Sequence, residues 1–196
     1  MERQVTVWLV IGLVLVAGCS AGAPPTDEPT RNATLSLSGY ERTADASPVD
    51  TRLFWDRTSN WEDPENRSVN VTSRVRTYRN LSGADTVVVY TTPEKPYVGA
   101  DRIRPMSAAE RARMATRSAE FPRFGNDTDR TYTASVLDRE RTVQVLADPE
   151  GAATTHVTHV SRRDAVVVVV IDGADRSTVE RVLGSVSFRD GTARTG

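Results

Sequence analysis

Ala165-Val166-Val167-Val168-Val169-Val170-Ile171 is the stretch whose reading decides the fold. Successive side chains on a strand point to opposite faces, and six β-branched residues in a row leave neither face polar. Such a strand has to be covered on both sides, so it belongs in the interior of a sheet. The rest of the chain must supply its neighbours in the sheet and a layer above and below.

Upstream of this run the pattern alternates with period two. Thr131 to Leu137, Thr142 to Ala147 and Ala152 to Ser161 read as strands. They are separated by Asp138-Arg139-Glu140-Arg141 and by Asp148-Pro149-Glu150-Gly151, with Pro second and Gly fourth as a type I turn favours. Arg162-Arg163-Asp164 turns the chain into the valine run, completing a four-strand antiparallel meander. Further back, Ser68 to Arg79 alternates, with Val69, Val71 and Val75 on one face and Arg74 and Arg76 on the other. Asn80-Leu81-Ser82-Gly83 turns it, and Asp85 to Thr92 returns it as a hairpin. Leu35 to Arg42 reads as a first strand. Leu53-Phe54-Trp55, followed by Trp61, reads as aromatic anchoring of an irregular segment on the core.

Two helices are expected. Ser107-Ala108-Ala109-Glu110 is a capping box, opening a helix to about Ala119 whose inner face is mostly alanine. After Asp172-Gly173, with Asp175 or Ser177 as N-cap, Val179, Val182, Leu183 and Val186 recur at helical spacing. The predicted class is α+β: an antiparallel sheet, made of an N-terminal hairpin and a C-terminal four-strand meander, covered by two helices.

The N-terminus carries an address. Arg3 precedes an apolar run from Val5 to Val16, which is too short to span a bilayer comfortably, since about 20 residues are needed. Val16-Ala17-Gly18-Cys19 then places two small residues before the only cysteine. That order reads as a lipoprotein signal peptide over residues 1–18, with Cys19 as the acylated first residue of the mature chain. Residues 19–34 read as a Pro-rich flexible tether, 35–190 as a single α+β domain and 191–196 as a polar tail. No Arg-Arg pair stands ahead of the run, so export of an already folded protein is not indicated. The expected location is the cell membrane, lipid-anchored on its extracytoplasmic face.

Five of the six asparagines lie in Asn-x-Ser/Thr sequons: Asn32, Asn66, Asn70, Asn80 and Asn126. Ser and Thr make up about a fifth of the chain, so chance gives one or two, and the excess reads as possible N-glycosylation of an exported protein.

Net charge is −1, so no global field recruits nucleic acid, and none is expected as a partner. Lys95 is the only lysine, and the arginine bias reads as the codon usage of a GC-rich genome. His156 and His159 are three apart on a strand and point to opposite faces, so they do not share a metal. Asn126-Asp127-Thr128-Asp129 lacks the glycine and closing glutamate of a calcium loop and reads as a solvated turn. Asp172 and Asp175 read as a strand end and a helix cap, not an acid/base pair. No nucleophile elbow or phosphate-cradling glycine loop is present. Neither catalytic residue, metal nor cofactor is expected.

His156-Val157-Thr158, Val160, Asp164 with the valine run, Thr92-Pro93, Val98-Gly99, Arg104-Pro105 and the capped helix together resemble a family of uncharacterised lipoproteins from halophilic archaea. The chain departs from that pattern at Arg162-Arg163, which stand in a turn where a glycine is expected, and in a longer N-terminal region. The resemblance implies a surface-anchored protein and carries over no functional residue. The expected function is therefore a non-enzymatic, membrane-anchored binding or accessory domain, held by lipid on Cys19 and facing a protein partner at the cell surface. The alternative is a carrier of an apolar ligand, in a pocket between the sheet and the alanine-faced helix.

Overall fold

A computed structural model describes residues 26–53, 68–95, 98–148 and 154–190. Cys19, Trp55, Trp61, Asn66, the expected turn at 149–151 and the 191–196 tail lie outside the described residues. Among the described residues, twelve strands and three short helices follow in order: β1 Thr26–Asp27, β2 Arg31–Leu35, β3 Tyr40–Ala46, β4 Val49–Leu53, β5 Ser68–Thr72, β6 Arg74–Asn80, β7 Thr86–Pro93, α1 Ala100–Ile103, α2 Ala108–Thr116, β8 Asp127–Val136, β9 Arg139–Leu146, β10 Thr155–Ser161, β11 Ala165–Asp172, α3 Arg176–Gly184 and β12 Val186–Asp190.

The valine run is β11, and it is the middle strand of a seven-stranded sheet ordered β3-β6-β7-β11-β10-β9-β8. Every neighbouring pair in that sheet is antiparallel. The β6–β7 hairpin and the β8–β11 meander are one sheet because β7 pairs with β11 along its whole length, from Ala165 opposite Pro93 to Asp172 opposite Thr86. All eight residues of β7 are buried, as are all eight of β11.

Each face of β11 feeds its own core. Val167, Val169 and Ile171 join Val87, Val89, Val136, Val143 and Val160 under Val179, Val182 and Leu183 of α3 and under Ala33, Leu35 and Val186. Val166, Val168 and Val170 join Val88, Tyr90 and Val157 under Ala100 and Ile103 of α1 and Ala108, Ala109, Ala112 and Ala115 of α2.

The expectation of an α+β sheet covered by two helices is overturned: the described residues are mostly strand. The physical reason is area. Seven strands at about 4.8 Å spacing make a sheet about 29 Å wide, whereas a nine-residue helix is only about 13.5 Å long. Two such helices leave much of both faces bare. The remainder is roofed by strands. On the α3 face, β2 and β12 pair antiparallel, Leu35 opposite Val186 and Arg31 opposite Asp190. On the α2 side, a three-stranded sheet β1-β5-β4 abuts β7 and reaches the end of α2, where Arg117 pairs with Asp50 at 2.8 Å.

β2 is tied to the sheet beneath it by side chains. Thr91 Oγ1 accepts from Ala33 N at 3.2 Å, and Tyr78 OH accepts from Leu35 N at 3.2 Å. Arg76 Nη1 donates to Ala33 O at 2.9 Å. A strand lying across a sheet has backbone groups that no ladder satisfies on that side, and these three side chains serve them.

Four readings change as a result. Among the described residues the fold begins at Thr26, inside the stretch read as tether. The first strand read over Leu35 to Arg42 is instead the end of β2, a turn at 36–39 and the start of β3, with Gly39 at φ +85° and Tyr40 N donating to Leu37 O. Val186, read as the last position of the second helix, instead opens β12, which stops where the tail was read to begin. The single strand read over Ser68 to Arg79 breaks at Ser73 into β5 and β6, which belong to different sheets. Both helix starts hold: the Ser107–Glu110 capping box is formed, and Asp175 caps α3 by accepting from Thr178 N at 2.8 Å.

Gly173 and Gly83 both adopt positive φ, +81° and +76°. A Cβ on Gly173 would run into the carbonyl oxygen of Ala84, while one on Gly83 meets open space. Gly83→Ala is expected to cost about 1 kcal/mol, the backbone term alone. Gly173→Ala should cost about 3 kcal/mol, because the fixed backbone of the next turn has to shift as well. Urea denaturation of the two variants checks the difference; equal losses would mean the close approach of Ala84 carries no energy.

Candidate binding cleft

β8 and β10 end at the same end of the sheet, and their turns stand side by side there. The β8–β9 turn is two residues long, Leu137 and Asp138, with φ 51° and 57°. Two positive-φ residues match the twist of a tight hairpin, a geometry that favours Asn-Gly and that a leucine adopts only under strain. The strain is held by packing: Leu137 is buried in the α3-face core while Asp138 is exposed. The β10–β11 turn is Arg162-Arg163-Asp164, closed by Arg162 N donating to Ala165 O at 2.8 Å.

Between these turns, the C-terminal end of α3 and the β2–β12 ladder opens a cleft of about 810 Å³. Arg31, Arg139, Arg162 and Arg163 line it, with Asp138, Asp164, Leu137 and Phe188. Asp164 is already engaged, accepting from Thr30 Oγ1 at 2.7 Å and facing Arg31 Nε at 3.9 Å. Arg139, Arg162 and Arg163 have no ion-pair partner among the described residues. Three uncompensated guanidiniums beside one free carboxylate, Asp138, make the cleft electropositive in a chain of nearly balanced charge. Guanidinium forks match carboxylate and phosphate oxygens.

A second depression, of about 490 Å³, lies at the opposite end of the sheet and includes Tyr132, His156, Asp175 and Arg176. Tyr132 OH stands 3.0 Å from His156 Nδ1, and His156 Nε2 stands 3.2 Å from Ala174 O. Burial lowers the imidazole's pKa and raises that of the Tyr132 phenol to about 12. At neutral pH the phenol therefore donates to Nδ1, and Nε2–H donates to the carbonyl. Both ring nitrogens are engaged within the fold, and Arg176 covers the Tyr132 ring at 4.6 Å. This cluster joins β8, β10 and the start of α3.

His159 faces the other side, 3.2 Å from Arg111 Nη1 of α2. Burial, then Arg111, Arg141 and Arg104, push its pKa down to about 4. The two imidazoles thus lie on opposite faces, as their spacing dictates. Asp172 sits at the end of β11, accepts from Thr155 Oγ1 at 2.7 Å, and is pushed up by burial. Asp127 is exposed as expected, but it opens β8 instead of lying in a turn. Its carboxylate accepts from Ala108 N at 3.1 Å and Ala109 N at 2.7 Å, serving free N–H groups at the start of α2. Of the described sequons, Asn80 lies at the β6–β7 turn with Nδ2 donating to Asp85 at 3.1 Å, Asn32 is half-buried in β2 with Oδ1 enclosed, Asn70 is half-buried in β5, and Asn126 precedes β8.

The sequence reading missed the cleft as a site. Its one signal was Arg162-Arg163 in a position where a glycine was expected.

Both histidines take a proton less readily in the fold than in the unfolded chain, where the ordinary value is 6.5. As pH falls from 6.5 towards 4, the unfolded state binds protons that the folded state refuses, so stability falls across that window. Asp172 and Glu94, both raised by burial, act in the opposite sense at the acid end. The urea midpoint is expected to drop across the histidine window, and His159→Gln to flatten part of the drop. An unchanged slope in that variant would contradict the assignment.

Set against family models, curated proteins and solved structures, the chain matches none of them.

Proposed function

We propose that the chain is a lipoprotein anchored to the extracytoplasmic face of the cell membrane through Cys19. In this reading its β domain is a binding or accessory module with no reaction of its own, and the arginine-lined cleft takes a group bearing a carboxylate or phosphate. The observation that carries the binding role is the set of three unpaired guanidiniums, Arg139, Arg162 and Arg163, on one cleft with Phe188 in its wall. The address is supported by the apolar run, the small residues before Cys19 and the five sequons. The resemblance to archaeal lipoproteins points the same way.

The apolar-carrier alternative needs room between the sheet and α2. There Ala108, Ala109, Ala112 and Ala115 are buried directly against Val166, Val168 and Val170. No observation favours that reading.

Two outcomes are expected. Protein extracted from its native membranes should begin at Cys19 and carry a lipid adduct on that residue by intact mass, and Cys19→Ser should lack it. A mature chain with a free thiol at position 19 would refute the anchor. Independently, the full chain should be retained on immobilised phosphate groups at low salt, and the Arg162→Ser/Arg163→Ser variant should lose most of that retention. Equal retention of the two would refute the cleft.

A further inference from the structure

The first described residues lie at the arginine end of the sheet. Asp27 pairs with Lys95 at 3.0 Å, just past the end of β7. Thr30 and Arg31 both meet Asp164 in the β10–β11 turn. Residues 27–31 are therefore fixed beside the cleft, and Arg31 is part of its wall.

Seven links separate Cys19 from Thr26, and an extended chain of that length reaches at most about 25 Å. The strands run away from this end. The eight residues of β7 alone extend about 26 Å, and the turns at both ends add to that. A lipid on Cys19 thus holds the arginine end close to the bilayer, and the tether is too short to let the Asn80–Gly83 turn rest there instead.

We propose that the cleft docks on the membrane to which the chain is anchored, with Arg139, Arg162 and Arg163 taking the phosphates of anionic lipid head groups. This rests on the lipid-anchor reading above. Asp27 and Asp164 are already neutralised by Lys95 and Arg31, so on the cleft wall three unpaired guanidiniums stand against one free carboxylate, Asp138. Attraction to an anionic surface fades within a Debye length, about 8 Å at physiological salt. Only an end held as near as this one profits from it. The anchor also makes the contact intramolecular in effect, so a few weak pairs suffice to populate it. An acidic protein would have to enter between the domain and the bilayer, where the short tether leaves little room.

Docking is tested with the full lipid-anchored chain. With Cys19 acylated, an introduced cysteine is the single free thiol. A dye on Ser187→Cys reports from the exposed side of the cleft, and one on Ser82→Cys from the opposite turn. Each is reconstituted in phosphatidylcholine vesicles and in the same vesicles with phosphatidylglycerol added, both carrying a head-group-attached quencher. The Ser187 dye should be quenched several-fold more on the anionic vesicles. High salt and the Arg162→Glu/Arg163→Glu variant should each abolish the difference, with Arg162→Gln/Arg163→Gln as the milder variant if the reversal does not fold. The Ser82 dye should respond to neither lipid.

Equal quenching of the Ser187 dye on both vesicles, or full quenching in the variants, overturns the proposal. So does a Ser187 dye that ignores the bilayer but responds to added poly-glutamate; that result assigns the cleft to an acidic protein and leaves its anion-binding role intact. The mass of the purified chain is read first. A chain without lipid on Cys19 removes the anchor reading by itself, and the same dye, placed in a Cys19→Ser background and mixed with the vesicles, still answers whether the cleft meets head groups.

Discussion

A strand with no polar face has to be roofed twice, and the whole domain follows from that requirement. β11 sits fourth of seven, where its backbone is paired on both sides and its side chains meet two separate cores. One face carries α3 with the β2–β12 ladder, and the other carries α1, α2 and the small sheet beside them. Remove either roof and valines are exposed along the middle of the sheet, each side chain worth about 1.5–3 kcal/mol of burial. The edges are treated differently. β3 at one margin is almost wholly exposed and charged, with Asp45 meeting Arg42 and Arg76 at 3.1 Å and Arg74 at 3.9 Å, and β8 at the other margin carries an irregular register. Charge and irregularity at the margins discourage pairing with another sheet.

The parts legible in the sequence were those whose signal is local. The valine run, the β6–β7 hairpin, the meander, the Ser107 capping box and the Asp175 cap each announce themselves within about ten residues of chain. The roofing strands do not. β2 and β12 are five residues each, mixed in polarity, and stand as strands because residues 31–35 meet residues 186–190. Their hydrophobic members, Ala33 and Leu35 in one and Val186 and Phe188 in the other, are two to a strand, too few to show a period. The two expected helices are α2 and α3, α1 went unread, and the larger error lay in assuming that two helices sufficed to cover the sheet.

The cleft was illegible for the same reason. Its arginines come from the start of β2, the start of β9 and the β10–β11 turn, and no window of sequence holds them together. Arg162-Arg163 alone stood out. Asp127 teaches the same lesson in miniature: within its own segment it looks like a solvated turn, yet it serves the first amides of a helix that begins nineteen residues earlier. The histidines were legible in their opposition, since strand geometry alone separates residues three apart, while their partners Tyr132 and Arg111 came from other elements.

The β2–β12 ladder also bears on when the domain is able to fold. One of its strands begins at Arg31 and the other ends at Asp190, so nearly the whole described chain lies between them. Most contacts in such a topology are long-range, and folding that depends on them is slow. As long as residues 186–190 are still being synthesised or threaded through a channel, β2 has no partner and one face of the valine strand has no complete cover. Closure waits for the last strand. A domain built this way stays open through most of its synthesis and locks only once residues 186–190 reach β2.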